Sequence, residues 1–349
     1  MNDDPHDPDR PAHGAGRLKM ADIARMAGVS VSSVSRALAG SPLIPEALRD
    51  RINTLARENG YVVNQAARAL RLQTTHTIGL ILPLGHEVGQ MVSDPFLLGL
   101  VGALADEVMA RGYDLLLSRV TPKESGWLRE LTRSNRFDGV LVLGQSDQHA
   151  ELDEAARDYP NMVVWGEFLR GQRYCSVGVN NQTAAFRAVD HMLKGGCRDI
   201  LFLGPTGVPE ADSRYAGYAE ALAASPFHPG EPIACETRFL VHHAHEVVAD
   251  LIVQKHRFDG LFCASDCIAQ GALTALREAG IRVPADVAVC GFDDIGLAEG
   301  LGLTTVRQDR GLGARHMVDL LFRRMAGETT APMRMTGDLV IRRTTRTVV

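Results

Sequence analysis

Nowhere in the 349 residues does an apolar run approach the roughly 20 needed to cross a bilayer. The opening stretch, MNDDPHDPDRPAHGAG, lacks the basic and apolar regions of a secretory signal and is instead acidic and rich in proline and glycine. A cytoplasmic chain with a disordered leader over residues 1–16 is therefore expected. Also missing are a GxSxG elbow, a GxxxxGK[ST] phosphate loop, an HExxH helix and any evident nucleophile–base pair, so no enzyme is expected. Cysteines are few and scattered: Cys175, Cys197, Cys235, Cys263, Cys267 and Cys290 lie in apolar or strand-like surroundings, as reduced thiols of a cytosolic protein do. Neither Cys263-x-x-x-Cys267 nor the group His242, His243 and His245 has the spacing of a zinc ribbon, so neither metal nor cofactor is expected. Aromatics are scarce at 5%, yet 45% hydrophobic and 23% charged residues exclude a disordered or fibrous chain and suffice for two or three globular units.

The net charge of -5 argues against a protein that coats nucleic acid along its whole length, but the charge is unevenly spread. Arg17 to Leu72 carries nine cations against four carboxylates, a net +5, which leaves the rest at -10. A basic head on an acidic body suits a chain of which one part meets phosphates. Within the head, Ile23, Met26 and Ala27 recur at helical spacing; Gly28-Val29-Ser30 interrupts, and Val31, Val34, Ser35 and Leu38 resume a second helical face. Gly28 can take the left-handed conformation that ends a helix, and Ser30 is a good N-cap for the next one. This is a helix-turn-helix, whose second helix enters a major groove. The outward face, Val31, Ser32, Ser33 and Arg36, is short, polar and ends in a cation, whereas a buried hairpin would want it apolar. Arg36 could pair with a guanine edge; Ser30, Ser32 and Ser33 suit bases or phosphates.

After a loop at Ala39–Pro42, a third helix over Glu46 to Asn59, with Pro45 at its start and a stripe of Leu48, Ile52, Leu55 and Ala56, closes a small core. Val62 to Leu72, with Arg68 and Arg71 among small residues, reads either as a plain linker helix or as a segment that orders on a minor groove. From Thr77 onward strands and helices alternate. IGLILPL, DLLLS, GVLVLG and MVVW form a first set; CSVGV (from Cys175), DILFLG, GLFCAS and VAVCGFDD form a second, with helices between. Two doubly wound parallel sheets follow. FDGV at Phe137 and FDGL at Phe258 are echoes in equivalent places.

Ligands of such sheets sit beyond the carboxyl ends of the strands, and between two facing sheets the site is the cleft. Asp94 and Phe96 follow the first strand, Trp165 ends the fourth, Arg214 follows Leu201-Phe202-Leu203, Asp266 follows GLFCAS and Asp293 follows VAVCGF. Charged groups that take paired hydroxyls and rings that cover a C–H face suit a polyhydroxylated ligand. Each also has a plainer reading, helix caps for Asp266 and Asp293 and a core ring for Trp165; the common position at strand ends favours the set.

These residues resemble the lactose-repressor (LacI/GalR) family of bacterial transcription regulators. Met20-Ala21-Asp22-Ile23-Ala24, Ala27-Gly28-Val29-Ser30 and Val34-Ser35-Arg36 match its head nearly letter for letter. The likeness continues through Gly60-Tyr61, Asn64, Ala67-Arg68 and Leu70, Asp94-Pro95-Phe96, Arg214 to Tyr218, Gly291 to Asp294, and Leu303 to Val306 with Gln308-Asp309. The resemblance implies an N-terminal all-α helix-turn-helix head (17–60), a hinge helix and linker (61–75), and a periplasmic-binding-protein-like α/β core of two doubly wound subdomains. These would take about 76–175 with 306–331, and about 176–305 with 332–349. It implies a homodimer on a pseudo-palindromic operator. Lys19, Ser30, Val31, Ser32, Ser33, Arg36, Asn64, Ala67 and Arg68 would meet DNA, and Leu70 would wedge into a minor-groove step. Asp94, Phe96, Trp165, Arg214, Phe239, Asp266, Asp293 and Gln308 would meet an effector, and three segments crossing between the sheets would carry closure to the hinge. The chain departs from the family pattern at Val63, where proline is usual, at Pro45 and Leu48, which replace hydroxyl residues, at Ser265, where asparagine is common, and at Glu210, where a small polar residue is common.

The reading that results is a sequence-specific transcriptional regulator, a repressor, governed by a small ligand, a sugar. A purine- or nucleoside-responsive regulator of the same build is the alternative, since Phe96 and Trp165 would serve it equally. A solute-binding protein shares the two-sheet body but would need an export signal and no basic head.

Overall fold

The computed structural model describes residues 18–61, 74–83, 93–121, 125–226 and 231–346. The chain divides into two compact units, residues 1–75 and 76–349. The leader, and the segment from Val62 with Asn64, Ala67, Arg68 and Leu70, lie outside the described residues.

The first unit holds α1 (Met20–Ala27), α2 (Val31–Leu38) and α3 (Glu46–Glu58). Gly28 ends α1 at φ +66°, and the reversal lets the Val29 N–H donate to the Ala24 carbonyl at 3.0 Å. Ser30 then caps α2, its hydroxyl accepting the Ser33 N–H at 3.1 Å. Pro45 stands one residue ahead of α3, as its N-cap. Ile23, Val34 and Ile52, one from each helix, have no exposed surface. Each contributes about 1.5–3 kcal/mol of burial, which dominates so small a core.

The second unit runs β1 (Thr77–Pro83), α4 (Pro95–Met109), β2 (Asp114–Val120), α5 (Trp127–Arg133), β3 (Gly139–Leu143), α6 (His149–Asp158), β4 (Met162–Trp165) and β5 (Cys175–Val179). It continues with α7 (Asn181–Lys194), β6 (Ile200–Gly204), α8 (Pro209–Ala224), β7 (Ile233–Glu236), α9 (Val241–Val253), β8 (Gly260–Cys263), α10 (Asp266–Glu278) and β9 (Ala288–Asp293). Last come α11 (Gly296–Leu301), β10 (Thr304–Arg307), α12 (Arg310–Met325), β11 (Met333–Met335) and β12 (Asp338–Val340). Two six-stranded sheets result, in the orders β11-β5-β4-β3-β1-β2 and β12-β10-β9-β8-β6-β7. Pairing is parallel except between β10 and β12. Strands β3, β4, β5, β6, β8 and β9 are buried at every residue, which is why they read as unbroken apolar runs.

The FDG echoes do equivalent work. Each aspartate heads the fourth strand of its sheet order and ties down the start of the neighbouring strand. Asp138 accepts the His76 N–H at 2.9 Å, and Asp259 accepts the Arg198 and Asp199 N–H groups at 2.9 Å.

One assignment is corrected by the pairing. CSVGV, expected in the second sheet, is β5 of the first, bonded to β4 and β11. The chain crosses to the second sheet only after it, at Asn180, and α7 then packs on β8, β9 and β10. It returns after β10 at 308–309, α12 covers β3, β4 and β5, and a final crossing at 336–337 separates β11 from β12. An apolar run signals burial on two faces but not which sheet supplies the neighbours, so the expected breaks near 175, 305 and 331 fall short of the crossings.

The three crossings pack against one another at Gly337. A Cβ there would lie 2.8 Å from Val179 Cγ1, 2.9 Å from Ala184 Cβ and 2.9 Å from Val306 Cγ1, distances that no relaxed side chain adopts. Beside it the Asn180 N–H donates to the Met335 carbonyl at 2.9 Å. Gly337→Ala is expected to cost about 1–3 kcal/mol in denaturant unfolding of the full chain; a midpoint equal to wild type would show that the crossings can separate freely.

Candidate functional site

The head presents a small polar face. Val31 is 46% exposed, Ser32 and Arg36 are exposed and Ser33 is half-buried, while Val34, Ser35 and Ala37 turn inward. Ser30 Oγ lies 2.8 Å from Ser32 Oγ and 2.9 Å from Ser33 Oγ, so the three hydroxyls form one linked donor–acceptor group at the start of α2. An N-terminal helix end lined with exposed hydroxyls suits phosphate and base edges. Lys19 caps α1, its backbone N–H held by Asp22 Oδ2 at 3.0 Å and its side chain left in solvent.

In the body the carboxyl ends of the two sheets line a cavity that is continuous with solvent. Of the eight effector residues expected, seven line it: Asp94, Phe96, Trp165, Arg214, Phe239, Asp293 and Gln308. Asp94 Oδ1 accepts the Phe96 and Leu97 N–H groups, each at 3.0 Å, and so caps α4 while its other oxygen remains near Cys267 Sγ at 3.9 Å. Phe96 and Trp165 stand 5.9 Å apart at 47°, an apolar corner for a ring face. Arg214 donates Nε–H to Asn181 Oδ1 at 2.9 Å and Nη1–H to the Ala264 carbonyl at 2.5 Å, lies 3.8 Å over the Phe292 ring, and has Asp293 Oδ1 3.9 Å away. That oxygen also accepts Gln308 Nε2–H at 2.7 Å. Asp293 holds φ +114° and Asp294 φ +53°, a strained pair at the end of β9 of the kind that persists where a side chain must be aimed. Burial pushes the Asp94 and Asp293 carboxyls above the ordinary range, the Arg214 charge working against it at Asp293.

The eighth residue, Asp266, is corrected. It does not line the cavity: Oδ1 accepts the Thr305 hydroxyl at 2.5 Å and Oδ2 the Ile295 N–H at 2.9 Å, so it buttresses the strand ends from within. Gly291 makes the room, since a Cβ there would sit 2.3 Å from Asp266 Oδ1. The cap of α10 is instead Ser265, whose hydroxyl accepts the Ile268 N–H at 3.2 Å. Sequence reasoning also missed lining residues: Ser146, Gly144, Leu143, Pro83, Leu97 and Val208 join Glu210 and Ser265 on the walls. Ser146 stood just past the GVLVLG strand, so the strand-end rule, applied evenly, would have found it.

Burial pushes the Asp266 carboxyl up to about 7, against the bonds from Thr305 and Ile295. An unfolded aspartate titrates near ~3.9, so between those limits the folded body keeps a proton that the unfolded chain releases. The stability involved is present below about pH 4 and lost as pH rises through about 7. Thermal melts are expected to show lower stability at about pH 8 than at about pH 5. Asp266→Asn stays neutral and can present its carbonyl to Ile295 and its amide to the Thr305 hydroxyl, so it is expected to narrow that gap; an undiminished gap would assign the dependence to other groups.

Comparison with known proteins agrees with this geometry. Residues 19–64 match the model of bacterial regulatory proteins of the lacI family, and residues 189–345 that of a periplasmic binding protein-like domain. The HTH-type transcriptional regulator CelR of Thermobifida fusca is 31% identical over 323 residues, 90% of this chain and 93% of that protein. The HTH-type transcriptional repressor CytR of Escherichia coli K12 is 29% identical, over 94% and 96%. A solved complex of CelR with cellobiose superposes with a TM-score of 0.68 at 30% identity, covering 94% of this chain and all of that one. Among the described residues no helix is long and apolar enough to cross a membrane. With a helix-turn-helix head, two doubly wound sheets and relatives matched along nearly its whole length, the chain belongs to the lacI family of bacterial regulatory proteins and is a DNA-binding transcriptional regulator.

Proposed function

We propose that this regulator is a cytoplasmic, homodimeric repressor whose operator affinity is set by a saccharide closed between the two sheets of its body, and that it does not transform that ligand. The observation that carries the reading is the cavity itself: carboxylates and a guanidinium beside three aromatic side chains, walled by both sheets whose only covalent links are the three crossings. A hydroxylated ring would be gripped on its edges by Asp94, Arg214 and Asp293 and covered on its faces by Phe96, Trp165 and Phe239. That CelR was solved with cellobiose supports the ligand class. A single eight-residue reading helix spans too few base pairs for operator specificity, which favours paired heads. Leu98 and Met109, 53% and 62% exposed and eleven residues apart on α4, offer an apolar stripe for a second copy. Lys19, Ser30, Val31, Ser32, Ser33 and Arg36 would contact the operator, together with Asn64, Ala67, Arg68 and Leu70 of the hinge.

The DNA reading is tested by band shift on the protein's own upstream region. Arg36→Ala is expected to weaken specific binding by about 1–3 kcal/mol and leave binding to random duplex nearly intact; equal losses on both would refute base reading. The ligand reading is tested by thermal shift across sugars and nucleosides, since a ligand at about a hundred times its dissociation constant adds about 2.7 kcal/mol. Sugars are expected to raise the melting temperature, with the ligand recovered unchanged; a response confined to nucleosides would overturn the saccharide assignment.

A further inference from the structure

Among the described residues, the ionisable side chains on the cavity wall are Asp94, Glu210, Asp293 and Arg214, three potential anions against one cation. The cation is already engaged. Arg214 gives Nε–H to Asn181 and Nη1–H to Ala264, and the nearest carboxylate, Asp293, answers its charge at 3.9 Å. The Glu210, Glu167 and Asp266 carboxylates also add to the negative field felt by the guanidinium. Among the described residues lining the cavity one cation is thus shared by three carboxyl groups, an excess of acidic groups over basic ones.

Three oxygens are placed to receive a donor from the cavity. Asp293 is 93% buried, and while its Oδ1 takes the Gln308 amide, its Oδ2 accepts no hydrogen bond among the described residues. Asp94 Oδ2 faces only the weak Cys267 thiol donor, at 3.9 Å. Glu210, in the first turn of α8, stands on the same cavity wall. Burial raises the proton affinity of all three carboxyls. A neutral sugar can donate hydroxyls to them but brings no charge, and a phosphorylated or carboxylated one adds repulsion. A ligand carrying an ammonium group supplies both donors and the charge that the excess of acidic groups calls for.

We propose that the effector is an amine-bearing polyol of the amino-sugar class and that Glu210, which shares the cavity wall with Asp94 and Asp293, sets the preference for it. This rests on the cleft being the effector site and specifies the chemistry of its occupant.

The test is calorimetric titration of the full-length protein at neutral pH with matched probes. D-glucosamine, D-galactosamine, D-mannosamine and 1-amino-1-deoxy-D-sorbitol are each compared with the parent hexose or sorbitol and with the hexose 6-phosphate. A charge-assisted hydrogen bond exceeds a neutral one by enough to give about a tenfold preference, so at least one amine is expected to bind about tenfold more tightly than its neutral counterpart, with the phosphates weakest. Glu210→Gln, with its fold checked by circular dichroism, is expected to bring that ratio close to one. Equal or tighter binding of the neutral or phosphorylated partner overturns the proposal, as does the absence of binding by every amine. The wild-type comparison decides by itself if the variant does not fold. A specific operator band that persists while no amine is preferred sinks this assignment alone, whereas loss of that band would sink the regulator reading beneath it.

Discussion

Three strands of backbone must pass between the two sheets in a space where, at Gly337, only a hydrogen atom fits. Val179 from the first crossing and Val306 from the second close on that glycine, and the Asn180–Met335 hydrogen bond ties the first crossing to the third. A hinge of separate flexible linkers would let the lobes move in many directions. Here the crossings are packed on one another instead, through the contacts at Gly337 and the Asn180–Met335 bond. The same crossings carry Asn181 and Gln308, so two polar groups that orient the cavity's charges stand beside the crossings themselves. Asn181 holds Arg214, and Gln308 holds Asp293.

The body uses buried carboxylates in two distinct ways. Asp266 is closed off by Thr305, Ile295 and the missing side chain of Gly291, so its charge acts on the frame. Asp293 and Asp94 each spend one oxygen on the protein and leave the other toward the cavity. Desolvation raises the proton affinity of all three, and Asp266 differs from the other two in that both of its oxygens are held by strong protein donors away from the cavity. Spacing along the chain carries no trace of that difference, because both Asp266 and Asp293 stand at the carboxyl end of a buried strand.

Much of the architecture was legible. Gly28 and Ser30 announced the turn of the head because a left-handed cap and an N-cap are local chemistry. The strands of both sheet centres were legible as apolar runs, since burial on two faces leaves no room for alternation. Short strands were not. β7, β11 and β12 have three or four residues each and polar or half-exposed positions, and they exist because a neighbour offers a ladder. β5 was recognised as a strand yet given to the wrong sheet, for pairing partners 156 residues apart in sequence, such as Val177 and Met333, leave no local mark.

What the residues determined by themselves was the head's helix-turn-helix, the repeated βα order, the charge division and the family, because each depends on neighbours in the chain or on motifs that occur as contiguous letters. What only the tertiary structure decided was the sheet to which β5 belongs, the meeting of three crossings at one glycine, and the separation of Asp266 from the seven residues that reach the cavity. Those are settled by distances between segments far apart in sequence, where a shift of one side chain by two or three ångströms exchanges a protein partner for a ligand.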